Sequence, residues 1–153
     1  MSDSTLPKHA TMSELIDTCE KLLDISNTND LVSAAKGQSS IFFAVQRLLA
    51  TEAEALDWYM SKENIIELNT RRYYEGKLPN SVYVTRPNKY PATTKADCDL
   101  QVKNDSMFAE VNKASKDAKR RVEFLESVLW RVKERGNDIK TIMDWKKFVE
   151  AGI

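Results

Sequence analysis

Apolar and small residues in the last third of the chain recur at alternating intervals of three and four residues. The members of this series are Phe108, Val111, Ser115, Ala118, Val122, Leu125, Leu129 and Val132. Such heptad spacing places all of them on one face of an α-helix. The pattern therefore predicts a long helix that is capped by Asn104 or Asp105 and ends at Gly136.

A second long helix is predicted over roughly residues 39–75. Its apolar residues follow helical spacing from Phe42 to Met60, and Gly76 followed by Pro79 ends it. Three glutamates are interpreted as its solvated polar face: Glu52, Glu54 and Glu63. A basic cluster on the last long helix is also interpreted as a solvated face, with DNA contact as the less favoured alternative: Lys113, Lys116, Lys119, Arg120 and Arg121.

A short helix is predicted near the N-terminus. It begins at Thr11, whose hydroxyl can form a capping box with Glu14, and it runs to about Ser26. The polar residues before it are expected to form a disordered tail, over 1–10. The length of the chain then predicts a single helical domain over 11–153.

The segments on either side of the last long helix are shorter. Residues 77–104 contain three of the four prolines, which predicts an irregular stretch with a short strand or β-hairpin near 81–86 and a helical piece at 94–101. A short amphipathic helix is predicted over 137–149. The fold class is therefore mainly α, with long antiparallel helices, short terminal helices and an irregular or β-hairpin middle segment.

Two helices of this length cannot bury both apolar stripes within one short chain. Another subunit would cover the remainder, so we predict a homo-oligomer. A compact monomeric bundle is the alternative. The segment expected to mediate oligomerisation is 137–149, through Ile139, Ile142, Met143, Trp145 and Phe148.

Positive charge and tyrosine are concentrated between Arg71 and Lys95, a stretch that we call the basic segment. It holds six cations against one acid, Glu75, although the whole chain has formal net charge zero. Four of the five tyrosines also lie there. Cations neutralise phosphates and release counterions, and tyrosine rings offer a stacking surface to unpaired bases. The segment predicts a site for single-stranded nucleic acid. A solvated edge strand and a site for an acidic protein are the alternatives.

Residues suited to catalysis are sparse. The single histidine, His9, lies in the predicted tail, and the four glycines are too far apart for a phosphate-binding loop. Cys19 falls on the apolar face of a predicted helix, and Cys98 lies between Asp97 and Asp99, whose charges disfavour a thiolate. A magnesium site at the two aspartates is less favoured than a capping or solvated role. We predict a binding protein without enzymatic activity, cofactor or metal.

The longest uninterrupted apolar run has five residues, which is too short for a membrane span or a signal sequence. We expect a soluble cytoplasmic protein that has no membrane partner.

Two stretches resemble a known family. One is Arg72-Tyr73-Tyr74-Glu75-Gly76 at the end of a long helix. The other is Arg135-Gly136-Asn137-Asp138-Ile139-Lys140-Thr141-Ile142-Met143-Asp144, followed by Phe148 and Glu150-Ala151-Gly152. Together they resemble the UvsY family, the recombination mediators of T4-like bacteriophages. The resemblance implies a ring-like homo-oligomer of hexamer to heptamer size that binds single-stranded DNA, and it associates the C-terminal region with assembly. It further implies that the protein promotes loading of a RecA-like recombinase onto DNA covered by single-strand-binding protein.

The predicted DNA-binding residues belong to the basic segment. Arg71 and Arg72 are expected to hold phosphates, with Lys77, Arg86 and Lys89 extending the track. Tyr73 and Tyr74 either stack on bases or pack against a neighbouring helix. The resemblance also indicates two basic positions of the family before the paired tyrosines, and here these are Leu68 and Thr70. The alternative function is a self-assembling structural or adaptor protein that binds an acidic partner. An architectural protein of duplex DNA is a third, less favoured function.

Overall fold

The structure, a computed structural model, describes residues 9–25 and 30–152, and within these ranges it is helical without any strand. Its helices are α1 (Met12–Leu23), α2 (Leu31–Lys36), α3 (Gln38–Tyr74), α4 (Asn80–Thr85), α5 (Lys95–Asn104) and α6 (Ser106–Glu150). Most of the predicted tail, and the predicted end of the first helix at Ser26, lie outside the described residues. None of the described helices combines the length and apolar character needed to cross a bilayer.

The chain divides into two compact units. The terminal unit comprises the described residues of Met1–Ala55 and of Arg120–Ile153, and the middle unit comprises Leu56–Lys119. The long helices α3 and α6 contribute residues to both units. Their predicted existence is confirmed, and the bounds of α3 agree with the predicted 39–75 to within one residue.

The predicted antiparallel arrangement of α3 and α6 is visible in the contacts within the terminal unit. Gln38, the first residue of α3, hydrogen-bonds the Val132 carbonyl and accepts a hydrogen bond from Arg135, late in α6. Glu52, one-third of the way along α3, instead contacts Arg121, which lies earlier in α6. The two helices therefore run in opposite directions in this unit.

The core of the terminal unit forms where α1, α3 and α6 meet. Its buried residues are Leu15, Cys19, Val45, Leu125, Val128 and Val132. Burying apolar surface at about 25 cal/mol per Å² is the main force that holds such helices together. The burial of Cys19 confirms its predicted core position, and burial also raises the pKa of its thiol.

Local capping fixes where the short helices begin. The predicted capping box is present: Glu14 N–H donates to the Thr11 hydroxyl, and Thr11 N–H donates to the Glu14 carboxylate at 2.8 Å. Asp30 caps α2 by accepting from Val32 N–H and Ser33 N–H. These bonds satisfy backbone donors that a helix cannot satisfy itself.

The predicted end of the last long helix at Gly136 is wrong, because α6 continues to Glu150. Gly136 is not among the described glycines with positive φ. Arg135 and Ile139 on either side of it are both buried and continue the inward face of the helix. Glycine in a helix costs only about 1 kcal/mol, and this burial offsets it. The predicted separate helix at 137–149 is therefore the last part of α6.

The predicted strand or hairpin near 81–86 is also wrong. Residues 80–85 form the short helix α4 instead. A strand needs a partner strand, and the described residues contain none. This short helix brings Tyr83 onto the end of α3, where its hydroxyl donates to the Tyr73 carbonyl at 2.9 Å.

The interpretation of Glu52 and Arg121 as solvated residues is wrong. Glu52 is 1% exposed, and its carboxylate accepts from Arg121 Nε at 2.7 Å and from Ala10 N–H at 3.0 Å. Arg121 is 6% exposed, and its Nη2 has no partner among the described residues. A buried charge must be paired, so these two residues form an ion pair inside the terminal unit.

Candidate nucleic-acid interface

The basic segment begins where α3 ends, at a glycine-dependent cap. Gly76 has φ +71°, a conformation that residues with a side chain rarely adopt. Its N–H donates to the Tyr73 carbonyl, and Lys77 N–H donates to the Arg72 carbonyl at 2.9 Å. This pair of bonds is the Schellman arrangement. The prediction that Gly76 ends the helix is confirmed.

Tyr73 is a packed residue rather than an exposed stacking surface. It is 6% exposed, and the Tyr83 ring stacks on it with centroids 5.5 Å apart. The Arg86 guanidinium lies 4.6 Å from the centroid of the same ring, a cation–π contact. In addition, the Tyr73 hydroxyl donates to the Arg86 carbonyl. Of the two predicted roles of Tyr73, the structure supports packing.

Tyr74 and Arg86 converge on one buried carboxylate, Asp105. The Tyr74 hydroxyl donates to Asp105 Oδ2 at 3.0 Å, and Arg86 Nη2 lies 3.1 Å from the same oxygen. The other oxygen accepts from the N–H groups of Met107 and Phe108 and so caps α6. One of the two predicted caps of this helix, Asp105, is confirmed.

These contacts shift two pKa values. Burial by itself raises the pKa of Asp105, but the bonds from Phe108 N–H, Arg86 and Tyr74 outweigh it, so the pKa lies below its ordinary value. The pKa of Tyr74 is raised, first by burial and then by the bond to this carboxylate. At neutral pH the site is therefore an ionised carboxylate beside a neutral tyrosine.

Arg71 is held by two carboxylates. Its guanidinium lies 2.6 Å from Asp99 on α5 and 3.4 Å from Glu67 on α3. The hydrogen bond to Asp99 is the main reason that the pKa of Arg71 is raised. The residue links α3 to α5 and presents little free charge.

The remaining cations of the basic segment differ in their pairing. Lys77 lies 2.7 Å from Glu75, yet its side chain is 68% exposed. Three further cations are exposed and have no carboxylate partner among the described residues: Arg72, Lys89 and Lys95. The charge excess of the segment is thus partly neutralised by acids outside it, and its free positive charge resides mainly on these three residues.

An open groove of about 530 Å³ lies in the middle unit between the loop after α4 and helix α5. Its lining residues are Tyr73, Tyr74, Arg86, Pro87, Asn88, Lys89, Tyr90, Leu100, Gln101 and Asn104. The structure therefore brings four of the predicted DNA-binding residues together at one surface, whereas Arg71, Arg72 and Lys77 are not part of that lining.

Sequence reasoning missed two residues of this region. Tyr90 is 77% exposed and is the most accessible aromatic residue of the groove. Lys95 is free at the start of α5. Both were counted in the composition of the basic segment, but only the structure distinguishes exposed side chains from packed ones. At the two positions taken from the family pattern, Leu68 is exposed and Thr70 is buried.

The predicted oligomerisation residues separate into two groups. Ile139 is 2% exposed and belongs to the interior of the terminal unit. Trp145 and Phe148 are 64% and 48% exposed, and their rings stack on each other at 5.7 Å. Ile142 and Met143 are half-buried.

Among the described residues, no group of three or more histidine, cysteine or carboxylate side chains is arranged to hold a metal ion. The two aspartates considered for magnesium have other contacts. Asp97 accepts from Thr93, and Asp99 binds Arg71. Asp97 thus holds the residue before the N-cap of α5, and Asp99 is an ion-pairing residue.

Comparison with known proteins gives one family. Residues 40–153 match the family model described as UvsY, recombination, repair and ssDNA binding protein. The match includes α3 to α6 and hence the whole middle unit. No curated protein and no solved structure matches the chain.

Proposed function

This chain belongs to the UvsY family of recombination, repair and single-stranded-DNA-binding proteins, and on that premise we propose that its middle unit carries the DNA-binding surface. The proposal assigns phosphate contacts to the free cations Arg72, Lys89 and Lys95. In this proposal the protein acts as a non-enzymatic recombination mediator.

This assignment of phosphate contacts rests on which cations are already paired with a carboxylate. A phosphate gains most from a cation that has no competing carboxylate, and each such contact releases counterions from the DNA. Arg72, Lys89 and Lys95 meet that condition as far as the described residues are concerned. Lys77 and Arg86 are supplementary, because their side chains are 68% and 58% exposed and can exchange a carboxylate for a phosphate.

Arg71, Tyr73 and Tyr74 have a supporting role, because their side chains already bind other groups of the middle unit. Arg71 holds α5 against α3, and the two tyrosines fix the loop that carries Lys89 through their bonds to Arg86 and Asp105. We expect replacements at these positions to reduce DNA binding by disturbing the surface rather than by removing a contact.

A charge-matched pair of double variants tests the placement. Arg72→Ala with Lys89→Ala removes two free cations of the middle unit. Lys21→Ala with Lys36→Ala removes two exposed lysines of the terminal unit and leaves the same net charge. Binding of a fluorescein-labelled single strand is measured by anisotropy between roughly 50 and 200 mM salt.

Wild-type protein with three free phosphate contacts per subunit should give a slope of log K against log salt of about −2. The Arg72/Lys89 variant should bind more weakly and flatten that slope by about 1.4, whereas the Lys21/Lys36 variant should behave like wild type. Equal effects of the two double variants, or none from either, would refute the placement.

The mediator activity is the part of the proposal that rests on family membership. We propose that the protein helps a RecA-like recombinase to replace single-strand-binding protein on DNA. The assay is the DNA-dependent ATPase rate of such a recombinase on strands covered beforehand by single-strand-binding protein. Addition of the wild-type protein should raise the rate, and the Arg72/Lys89 variant should raise it less.

We also propose that the protein assembles into a homo-oligomeric ring of hexamer to heptamer size. The exposed pair Trp145 and Phe148 supports this, because two stacked aromatic rings on a helix surface are stabilised by burial against another chain. Several copies would also multiply weak DNA contacts through effective concentration.

Light scattering of Trp145→Ala with Phe148→Ala should show a smaller particle than wild type. The control is Lys146→Ala, an exposed residue on the same part of α6, which should leave the mass unchanged. A double variant of wild-type mass would contradict the assignment of this surface.

A further inference from the structure

Two exposed side chains with apolar surface line the groove of the middle unit. Tyr90, in the loop after α4, is 77% exposed, and Leu100, on α5, is 57% exposed. A volume of about 530 Å³ lies in the range typical of small-molecule pockets, and it is large enough for one nucleotide. The groove therefore has an apolar lining that the protein itself leaves uncovered.

Two amide side chains of the groove have no hydrogen-bond partner in the part of the chain that the structure describes. Gln101 and Asn104 lie three residues apart on α5, so they occupy the same helix face. Neither side chain hydrogen-bonds another group of the described residues, and the Gln101 Oε1 atom is buried without a partner. A buried amide oxygen without a partner, as in Gln101, costs free energy that a ligand can recover.

A third amide in the same groove shows the contrast. Asn88 accepts from Tyr90 N–H at 3.2 Å, and its Nδ2 lies 3.5 Å from the Tyr73 carbonyl. Its role is to hold the loop, whereas Gln101 and Asn104 have no such role. The Asn104 amide is therefore exposed to a ligand, and the Gln101 amide, which no other described group holds, can turn towards the groove that it lines.

Cations complete the set at the same surface. Lys89 lines the groove and has no carboxylate partner within residues 9–25 and 30–152, and Arg86 lines it with a half-exposed side chain. An aromatic ring, amides that donate and accept side by side, and a nearby cation match three features of a nucleotide: the flat face of the base, the polar edge of the base and the phosphate.

We propose that this groove captures one unpaired nucleobase, stacked on Tyr90 and hydrogen-bonded by Gln101 and Asn104, with its phosphate on Lys89. The inference rests on the proposed function and adds a base subsite to the phosphate contacts. A base in a duplex is stacked and paired and cannot enter the groove, so the subsite also selects single strands over double strands.

The experiment compares two labelled single strands of equal length and equal charge. One carries thymine on every nucleotide, and the other carries abasic tetrahydrofuran units in place of every internal nucleotide. Wild-type protein should bind the thymine strand at least about fivefold more tightly at the same salt concentration, because stacking of one base favours it.

Variants assign that preference to the groove. Tyr90→Ala should weaken binding of the thymine strand and leave binding of the abasic strand unchanged, whereas Tyr90→Phe should keep the preference because the ring remains. Gln101→Ala with Asn104→Ala should lower the preference in the same selective way. The control is Val84→Ala, an 81% exposed apolar residue outside the groove, which should change neither affinity.

Different results would refute the proposed function and the base subsite. If wild-type protein binds neither strand, the proposed function itself fails. If it binds both strands equally, or if Tyr90→Ala weakens both equally or neither, the protein binds DNA without this base subsite and the inference is overturned.

Discussion

The buried pair between Glu52 and Arg121 allows a quantitative test of the terminal unit. Their side chains are 2% and 7% exposed, and Nε lies 2.7 Å from Oε2. Arg121→Met removes the guanidinium but keeps most of the side-chain volume. The Glu52 carboxylate then remains buried, with the Ala10 N–H as its other hydrogen-bond donor.

Breaking one partner of a buried pair costs about 3–5 kcal/mol in the free energy of unfolding. For a urea m value of about 2 kcal/mol/M, the unfolding midpoint should fall by about 2 M. Arg131→Met is the matched control, since it is the same substitution at an exposed arginine of the same helix. It should change stability by no more than about 0.5 kcal/mol.

Replacing both partners should recover most of the loss. Glu52→Leu with Arg121→Met removes both charges, and it also removes the unpaired Arg121 Nη2. Double replacement of buried pairs is often neutral or stabilising, so its stability should lie within about 1 kcal/mol of wild type. Urea unfolding is followed by circular dichroism at one protein concentration, because the stability of the proposed oligomer would depend on concentration. A cost below about 1 kcal/mol for Arg121→Met would refute the reasoning. So would a double variant whose loss of stability equals the sum of the losses of Arg121→Met and Glu52→Leu measured singly.

Two further predictions concern α6. Gly136→Ala should raise the unfolding free energy by about 0.5–1 kcal/mol, because the added Cβ meets only the end of the Gln38 side chain at 3.4 Å. A lower thermal midpoint would show that the glycine is required there. Asp105→Asn keeps an N-cap but loses the charge that binds Arg86, and it should cost about 1–2 kcal/mol at pH 7. Because the pKa of Asp105 is lowered in the folded protein, its stabilisation is present above the ordinary aspartate pKa and is lost as the pH falls through the folded value. The difference between variant and wild type in thermal melts should therefore shrink below about pH 4, and a difference that stays constant would contradict the role of the charge.

The parts of the fold that depend on local chemistry were predictable from sequence. The capping box at Thr11 needs only a glutamate three residues on, and the end of α3 needs only a residue that adopts positive φ, Gly76. Heptad spacing predicted the inward face of α6, where Leu125 and Val132 are buried.

The predictions that failed depended on contacts between distant parts of the chain. Gly136 resembles a helix end locally, but the burial of its neighbours depends on α2 and α3. From its neighbours in the sequence Glu52 resembles a surface residue, because its partner Arg121 lies 69 positions away. Neither contact can be predicted from a local sequence pattern.

The candidate site was predictable as a region but not as a set of side chains. Charge counting found the basic segment, yet the nearer of the two acids that bind Arg71 in the structure, Asp99, lies 28 positions away in sequence, on α5. Tyrosine counting found the aromatic cluster, yet exposure separates Tyr90 from Tyr73. Pairing and exposure are properties of the folded chain, and they decide which residues remain available to DNA.

The position of Asp105 makes separate elements of the middle unit cooperative. One carboxylate begins α6, orients Tyr74 at the end of α3 and anchors the Arg86 loop. Opening any one of them removes a partner from the other two, so their local unfolding equilibria are linked. The loop that forms one wall of the groove is thereby kept in place by two helix ends, although few of its own residues are buried.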